Sequence, residues 1–202
     1  MIIVIEGPDK VGKATQSKML TESLNRNGWT ATRVEVPVKG LTHKAIYWML
    51  DKGWARRLPN LFQFVQFLNK LAFQLLELPS LEDEYDYVVL DRWKLSAVVY
   101  GDASGTNPRF NRLLCSLLRE AESTLVIYGP SFKRGDDDSY EADAKLQQDV
   151  RDGYRRWVGD HPSNHELVSN DGPIDEVHQR LLCVLVHAGV LPDFWISRGT
   201  TT

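Results

Sequence analysis

With 202 residues, 43% of them hydrophobic and 25% charged, the chain has the size and composition of one globular domain with a substantial core, and no second full domain fits. Its net charge of −3 offers no global basic field for nucleic acid or an anionic membrane, so neither is an expected partner. No apolar run approaches the ~18 residues of a membrane-spanning helix and the apolar start is a short strand rather than a leader, so a cytoplasmic protein is expected.

Residues 2–5 form a continuous β-branched run, the pattern of a central parallel strand covered on both faces. Gly7 ends it. Four residues separate Gly7 from Gly12 and Lys13 follows, which is the spacing of the G-x-x-x-x-G-K loop. The glycines let several backbone N–H groups point at one anion, the following helix presents its positive end, and the lysine reaches the β- and γ-phosphates. Gly7, Pro8, Asp9, Lys10, Val11, Gly12, Lys13, Ala14 and Thr15 are therefore candidate nucleotide-binding residues. A glycine-rich turn without a ligand would leave the Lys13 charge unpaired, which is costly in a buried turn. The motif usually has Ser or Thr after the lysine to ligate Mg²⁺; here Ala14 stands there, and Thr15 comes one position late.

Apolar spacing predicts a helix over 16–27, closed by Asn27-Gly28, and a second strand over 29–36. The resulting βαβ unit implies a parallel sheet with ligands at the carboxyl ends of its strands, which puts residues 36–40 at the ligand edge. Helices follow over 41–52 and about 60–78. The second interleaves phenylalanines with amides, and Phe62 and Gln66, four apart, share one face. The aromatics suit core or dimer packing, but this pair could also offer a ring to a base and an amide to its edge.

A third strand over 87–90 ends in Asp91-Arg92-Trp93, so a carboxylate and a guanidinium emerge together at the ligand edge, able to cap the strand as an ion pair or to manage metal and phosphate charge. Ser96 and Tyr100 lie in the helix that follows, ahead of a turn region over 101–108. A helix over 109–121 leads to a strand over 124–128. The polar stretch 129–139 reads as a solvated loop or as a mobile lid carrying arginine over phosphates. A helix over 140–158, a strand over 165–168 and a helix over 173–188 complete an α/β chain with five strands. The tail is expected to pack through Phe194 and Trp195. Cys115 and Cys183 lack metal or redox spacing and are expected to be reduced core residues, and the five histidines form no ligand pattern.

Residues 5–16 together with Asp91-Arg92-Trp93 and Ser96 resemble the thymidylate kinases, and the likeness runs nearly end to end: Lys133-Arg134-Gly135 with Tyr140-Glu141 is similar to that family's lid, over about 129–140. The resemblance implies a phosphate-loop nucleoside monophosphate kinase fold and transfer of the ATP γ-phosphate to a deoxynucleoside monophosphate, with Mg²⁺, by a homodimer. Carried across by position, Lys13, Lys10, Asp91, Arg92 and Arg134 would serve catalysis. Asp9, Lys39, Phe62, Gln66, Arg92, Ser96, Tyr100 and Tyr140 would hold the acceptor. Asp91 would organise the metal, directly or through water, and Tyr100 would face the sugar's 2′ position.

Three departures stand out. Ala14 removes a metal ligand; the family's Phe-Pro-x-Arg is Val36-Pro37-Val38-Lys39, a point charge for a bidentate fork; and Gln66 replaces a base-reading arginine, leaving both donor and acceptor. A divergent or viral enzyme, then working in the host cytoplasm, for dTMP or a 5-modified pyrimidine deoxynucleotide fits these residues. Kinases of a nucleoside or of a modified base in DNA, and a regulator that binds nucleotide without catalysis, are the alternatives.

Overall fold

The computed structural model describes residues 1–132, 143–160, 165–193 and 195. In chain order the elements are β1 (Ile2–Glu6), α1 (Lys13–Arg26), β2 (Ala31–Glu35), α2 (Leu41–Asp51), α3 (Trp54–Arg57), α4 (Pro59–Leu76) and α5 (Leu78–Glu84). They continue as β3 (Tyr87–Asp91), α6 (Lys94–Ala103), α7 (Pro108–Ser116), β4 (Ser123–Tyr128), α8 (Ala144–Asp160), β5 (His165–Ser169) and α9 (Ile174–His187).

The strands form one parallel sheet in the order β2-β3-β1-β4-β5, as the five-stranded reading expects. Every residue of β1 and β3 is buried, whereas the edge strands β2 and β5 are half-exposed. Alternation along β1 divides its side chains between two layers. Ile3 and Ile5 pack with Leu20 and Leu24 of α1 and Leu181 and Leu185 of α9. Ile2 and Val4 pack with Phe67 and Phe73 of α4 and Leu114 of α7. Each such side chain contributes about 1.5–3 kcal/mol of burial, so the β-branched run is held from both sides.

Two boundaries move at glycines. Helix α1 starts at Lys13 rather than residue 16, because Gly12 adopts a left-handed φ of 95° and turns the loop straight into the helix. Helix α6 runs through Gly101 to Ala103 where a turn was expected to begin. A Cβ on Gly101 would lie 2.2 Å from Asn111 Nδ2, which itself donates to the Ala97 carbonyl at 2.9 Å. Gly101 thus lets α7 pack against α6 rather than ending a helix.

Helix α7 stops at Ser116 instead of residue 121, and α4 stops at Leu76, with Pro79 admitted in the first turn of α5. Trp195 packs into the α1–α9 layer as expected. Cys115 is a core residue, but Cys183 is only half-buried; both are free thiols. The lid residues Lys133, Arg134, Gly135, Tyr140 and Glu141, and also Phe194, lie outside the described residues. Among the described residues no helix is long and apolar enough to cross a membrane.

Candidate active site

The loop between β1 and α1 sits at the centre of the sheet's carboxyl edge and is held in place by its neighbours. A Cβ on Gly7 would lie 2.2 Å from the Ile127 carbonyl oxygen, so only glycine lets the chain pass β4. Phe132 N–H donates to the Lys10 carbonyl at 2.8 Å, and Asn170 Nδ2 donates to the carbonyls of Val11 at 3.1 Å and Pro130 at 2.9 Å. Lys13 is buried and donates to the Pro8 carbonyl. Burial first, and then the Arg92 guanidinium, bring its pKa down to about 7, against the pull of Asp9, Asp91 and Glu6 in the other direction.

Arg92 leaves β3 with a left-handed φ of 71°, and Lys10 has one of 62°. Such conformations cost about 1–3 kcal/mol in non-glycine residues and gather where a site requires a side chain to be aimed. Arg92 is aimed by several partners: it forms an ion pair with Asp9, donates to Ser96 Oγ and Tyr100 Oη at 3.4 Å each, and lies 5.1 Å over the Tyr100 ring. Asp9 also accepts from Tyr100 Oη at 2.7 Å and from Gln147 Nε2 at 3.0 Å. Burial would raise the Asp9 pKa, but Arg92, Lys13 and these two hydrogen bonds outweigh it and hold the carboxyl at about 2. Burial also works against the charge of Arg92, yet Tyr100 and Asp9 keep its pKa well above the ordinary range.

Behind this pair lies a carboxylate that the motif reading did not single out. Glu6 is fully buried at the end of β1 and accepts from Trp93 N–H at 2.7 Å, Ser96 N–H at 3.1 Å, Tyr154 Oη at 3.0 Å and Ser96 Oγ. It caps the start of α6 from the neighbouring strand. Ser96 is therefore tied into the frame behind Arg92 while still lining the cavity. Asp91 is partnered as well: Arg33 of β2 reaches Asp91 Oδ2 at 2.6 Å and Ser17 Oγ at 2.7 Å. Strand register makes this a diagonal contact, with Arg33 opposite Val89 and Asp91 two residues on.

These groups open into a cavity of about 840 Å³. It brings together Asp9, Lys10, Val11, Gly12, Lys13, Ala14, Thr15, Phe62, Gln66, Asp91, Arg92, Ser96 and Tyr100. One arm runs under α2 and α4 past Ile46, Tyr47, Leu50 and Phe62; the other runs to the turn between β5 and α9 at Asn170, Gly172 and Pro173. Gly7 and Pro8 of the same loop are not among the lining residues.

Lys39 is exposed and does not line the cavity. Asn69 of α4 pins its neighbour, accepting from Val38 N–H at 2.8 Å and donating to the Val38 carbonyl at 2.9 Å. Lys70, buried on α4, lines the cavity instead. Its signal in the sequence is a lone lysine between Phe67 and Phe73 on an inward helical face. Burial, the largest influence, lowers its pKa. Glu6, Arg33 and Gln147 act through strand register and a helix arriving from far along the chain, which no local motif announces.

A nucleotide-bound Mg²⁺ keeps several waters and takes only one or two protein carboxylates. Asp91 fits that need through Oδ1, which accepts no hydrogen bond among the described residues while Oδ2 is held by Arg33. Ala14 lines the cavity without a donor oxygen, and no group of three His, Cys, Asp or Glu residues gathers among the described residues. The residues present thus fit a metal carried mainly by phosphate oxygens and water.

No family model matches the sequence. Solved structures match almost the whole chain, among them two thymidylate kinases. The thymidylate kinase of Candida albicans, reported as an enzyme of broad substrate specificity, has 20% identity and a TM-score of 0.74 over 94% of this chain and 92% of its own. The thymidylate kinase of Ehrlichia chaffeensis has 22% identity and a TM-score of 0.70 over 92% of this chain and 98% of its own. The loop at the central strand, the order β2-β3-β1-β4-β5 and these matches together mean that the chain has the fold of the thymidylate kinases, a phosphate-loop nucleoside monophosphate kinase architecture.

Proposed function

We propose that the protein transfers the γ-phosphate of ATP to a pyrimidine deoxynucleoside monophosphate, dTMP or a 5-substituted relative. The observation that carries this reading is Arg92, held in a left-handed conformation by Asp9, Ser96 and Tyr100 at the junction of a phosphate loop and an apolar arm. A nucleoside triphosphate fits the loop with its base toward the β5–α9 turn, and an acceptor fits the arm under α4.

In the reaction an oxygen of the acceptor phosphate attacks the γ-phosphorus while the bond from phosphorus to the β-bridging oxygen breaks, yielding ADP and a nucleoside diphosphate. The loop N–H groups and Lys13 follow the charge from γ to β, Lys10 lies at the loop's tip, and Arg92 holds the acceptor phosphate in line. Mg²⁺ on the nucleotide, faced by Asp91, would neutralise β- and γ-oxygens. Arg134, beyond the described residues, is the proposed lid arginine, and Tyr140 its neighbour at the acceptor. Phe62 offers its ring to the base, Gln66 its amide to the base edge, and Tyr100 closes the 2′ position against a hydroxyl.

We also propose a homodimer. The outer face of α4 exposes Leu61, Phe64, Leu68 and Leu75, and the neighbouring α7 exposes Leu113, with Leu117 exposed just past its end, an apolar surface unusual for a monomer. Turnover of ATP against monophosphates, nucleosides and DNA tests the reaction. Transfer to a deoxynucleoside monophosphate is expected, and transfer to a nucleoside or DNA alone would overturn it.

A further inference from the structure

Helix α4 places polar groups where the acceptor arm meets its core. Phe62, Gln66 and Lys70 succeed one another at four-residue steps, about 6 Å each along the axis, and all three line the cavity. Lys70 is 3% exposed. Among the described residues it has neither a hydrogen bond nor an ion pair. Gln63, within about 20° of Lys70 around the helix, is 2% exposed, and neither of its amide atoms is hydrogen-bonded among the described residues. Leaving an ammonium in that state costs several kcal/mol unless something pairs with it, and the cavity is where that partner enters.

We propose that Lys70 reads the edge of the acceptor base, donating to an exocyclic carbonyl oxygen, so that the site takes thymine or a 5-substituted uracil and rejects cytosine. This rests on the acceptor arm assigned above and supplies what Gln66 leaves open. A glutamine amide pairs in either sense, whereas an ammonium has three donors and no acceptor. The carbonyl of a thymine or uracil satisfies it; the amino group of cytosine at the same place sets donor against donor. A site built to hydrogen-bond one group rejects the analogue that lacks it far more strongly than an apolar pocket does. The base edge is favoured over the phosphate because the loop side is already furnished with Lys10, Lys13 and Arg92. Lys70 comes from α4, one turn beyond Gln66, and lines the same cavity.

The test is equilibrium binding of dTMP, dCMP and 2-deoxyribose 5-phosphate to the wild type and to Lys70→Met, an unbranched apolar replacement suited to a buried site. The wild type is expected to bind dTMP at least about tenfold tighter than dCMP, about 1.4 kcal/mol. Lys70→Met should lose that preference by weakening dTMP, with the base-free sugar phosphate unchanged. Equal weakening of all three ligands would overturn the proposal in favour of phosphate binding, and no change in any would make Lys70 structural. Should Lys70→Met fold poorly by circular dichroism, Lys70→Gln, which donates or accepts, is expected to bind both nucleotides alike; a retained preference in it overturns the proposal. Wild-type turnover is scored separately: binding with the expected preference but no transfer to any monophosphate would refute the kinase reading and leave Lys70 as a base reader.

Discussion

Lys13 combines two demands that conflict at the scale of one residue: it must be charged against phosphate, yet burial and Arg92 bring its pKa to about 7. Phosphate favours the charged form, so nucleotide binding takes up a proton wherever free Lys13 is neutral. At pH 8 about nine-tenths of it is neutral, and ATP binding should take up nearly one proton there and almost none from Lys13 near pH 5. Calorimetry in buffers of different ionisation enthalpy measures the uptake. Lys13→Met should abolish it, and buffer-independent heats for the wild type at pH 8 would contradict the assignment. Ala14→Ser would place an oxygen where the proposed nucleotide's metal would be held, so the midpoint of Mg²⁺ titration should fall; an unchanged midpoint would mean that Asp91 and water already complete the shell. Tyr100 separates ring from hydroxyl: Tyr100→Ala should erode the preference for deoxynucleotides, while Tyr100→Phe keeps it and loosens Arg92. Equal kcat/KM ratios in the two variants would remove the ring from sugar selection.

These loop residues were legible in the sequence because a glycine-rich loop does its work through local backbone geometry, and spacing alone records it. Arg92 was legible from its place at the end of a strand, whereas Ser96 and Tyr100, on the helix that follows, were singled out by the resemblance alone. Arg33, Glu6 and Gln147 did not, because each acts on a partner far along the chain. Lys39 shows the converse: its place in the sequence suited an acceptor contact, but Asn69 pins Val38 and leaves the lysine exposed.

At the scale of elements, the junction of α1 and α9 carries a pH-dependent contact. His178 is buried between Gln16, at 3.1 Å, and Ser23, at 3.0 Å. Burial first, and then Arg26, lower its pKa from 6.5 to about 4, outweighing Asp175. Between these values the unfolded chain binds a proton that the folded chain does not, so stability rises with pH across this window and falls as pH drops from about 6.5 to about 4. The loss amounts to about 3 kcal/mol once both states are protonated. Denaturant midpoints at pH 7 and pH 4.5 should show the decline, and His178→Gln should flatten it. A wild type equally stable at both values would contradict a neutral buried imidazole. Helix α4 shows how far an element can be read from its own pattern: its aromatic and amide interleaving was plain. Which residues face the cavity depends on α2, α6 and α7 around it, and that assignment brought Lys70 in.

At the scale of the whole molecule, the order of the strands decides the function. With β1 central, one loop serves two arms, one toward the β5–α9 turn and one under α4, and in the proposed reaction the two reactants would meet at Arg92. The central strand was legible because a buried parallel strand reads as a continuous β-branched run, while the half-exposed β2 and β5 were legible only from their place after a helix. The packing of α6 through Gly101 was not, since its reason lies in Asn111 on another helix. The proposed dimer belongs to this scale too. Sedimentation should give twice the chain mass, and Leu68→Arg, on the outer face of α4, should give monomers; a monomeric wild type at micromolar concentration would remove the dimer.

The proposed transfer is tested by kcat/KM with ATP for dTMP, dUMP, 5-hydroxymethyl-dUMP, dCMP, dGMP, thymidine and duplex DNA, in the wild type and in Lys13→Ala. ADP and a pyrimidine deoxynucleoside diphosphate are the expected products, with dTMP or a 5-substituted dUMP as the best acceptor and a loss of more than about tenfold in kcat, 1.4 kcal/mol, for Lys13→Ala. Phosphorylation of thymidine or DNA in preference to every monophosphate, or a Lys13→Ala protein that keeps its rate, would contradict it.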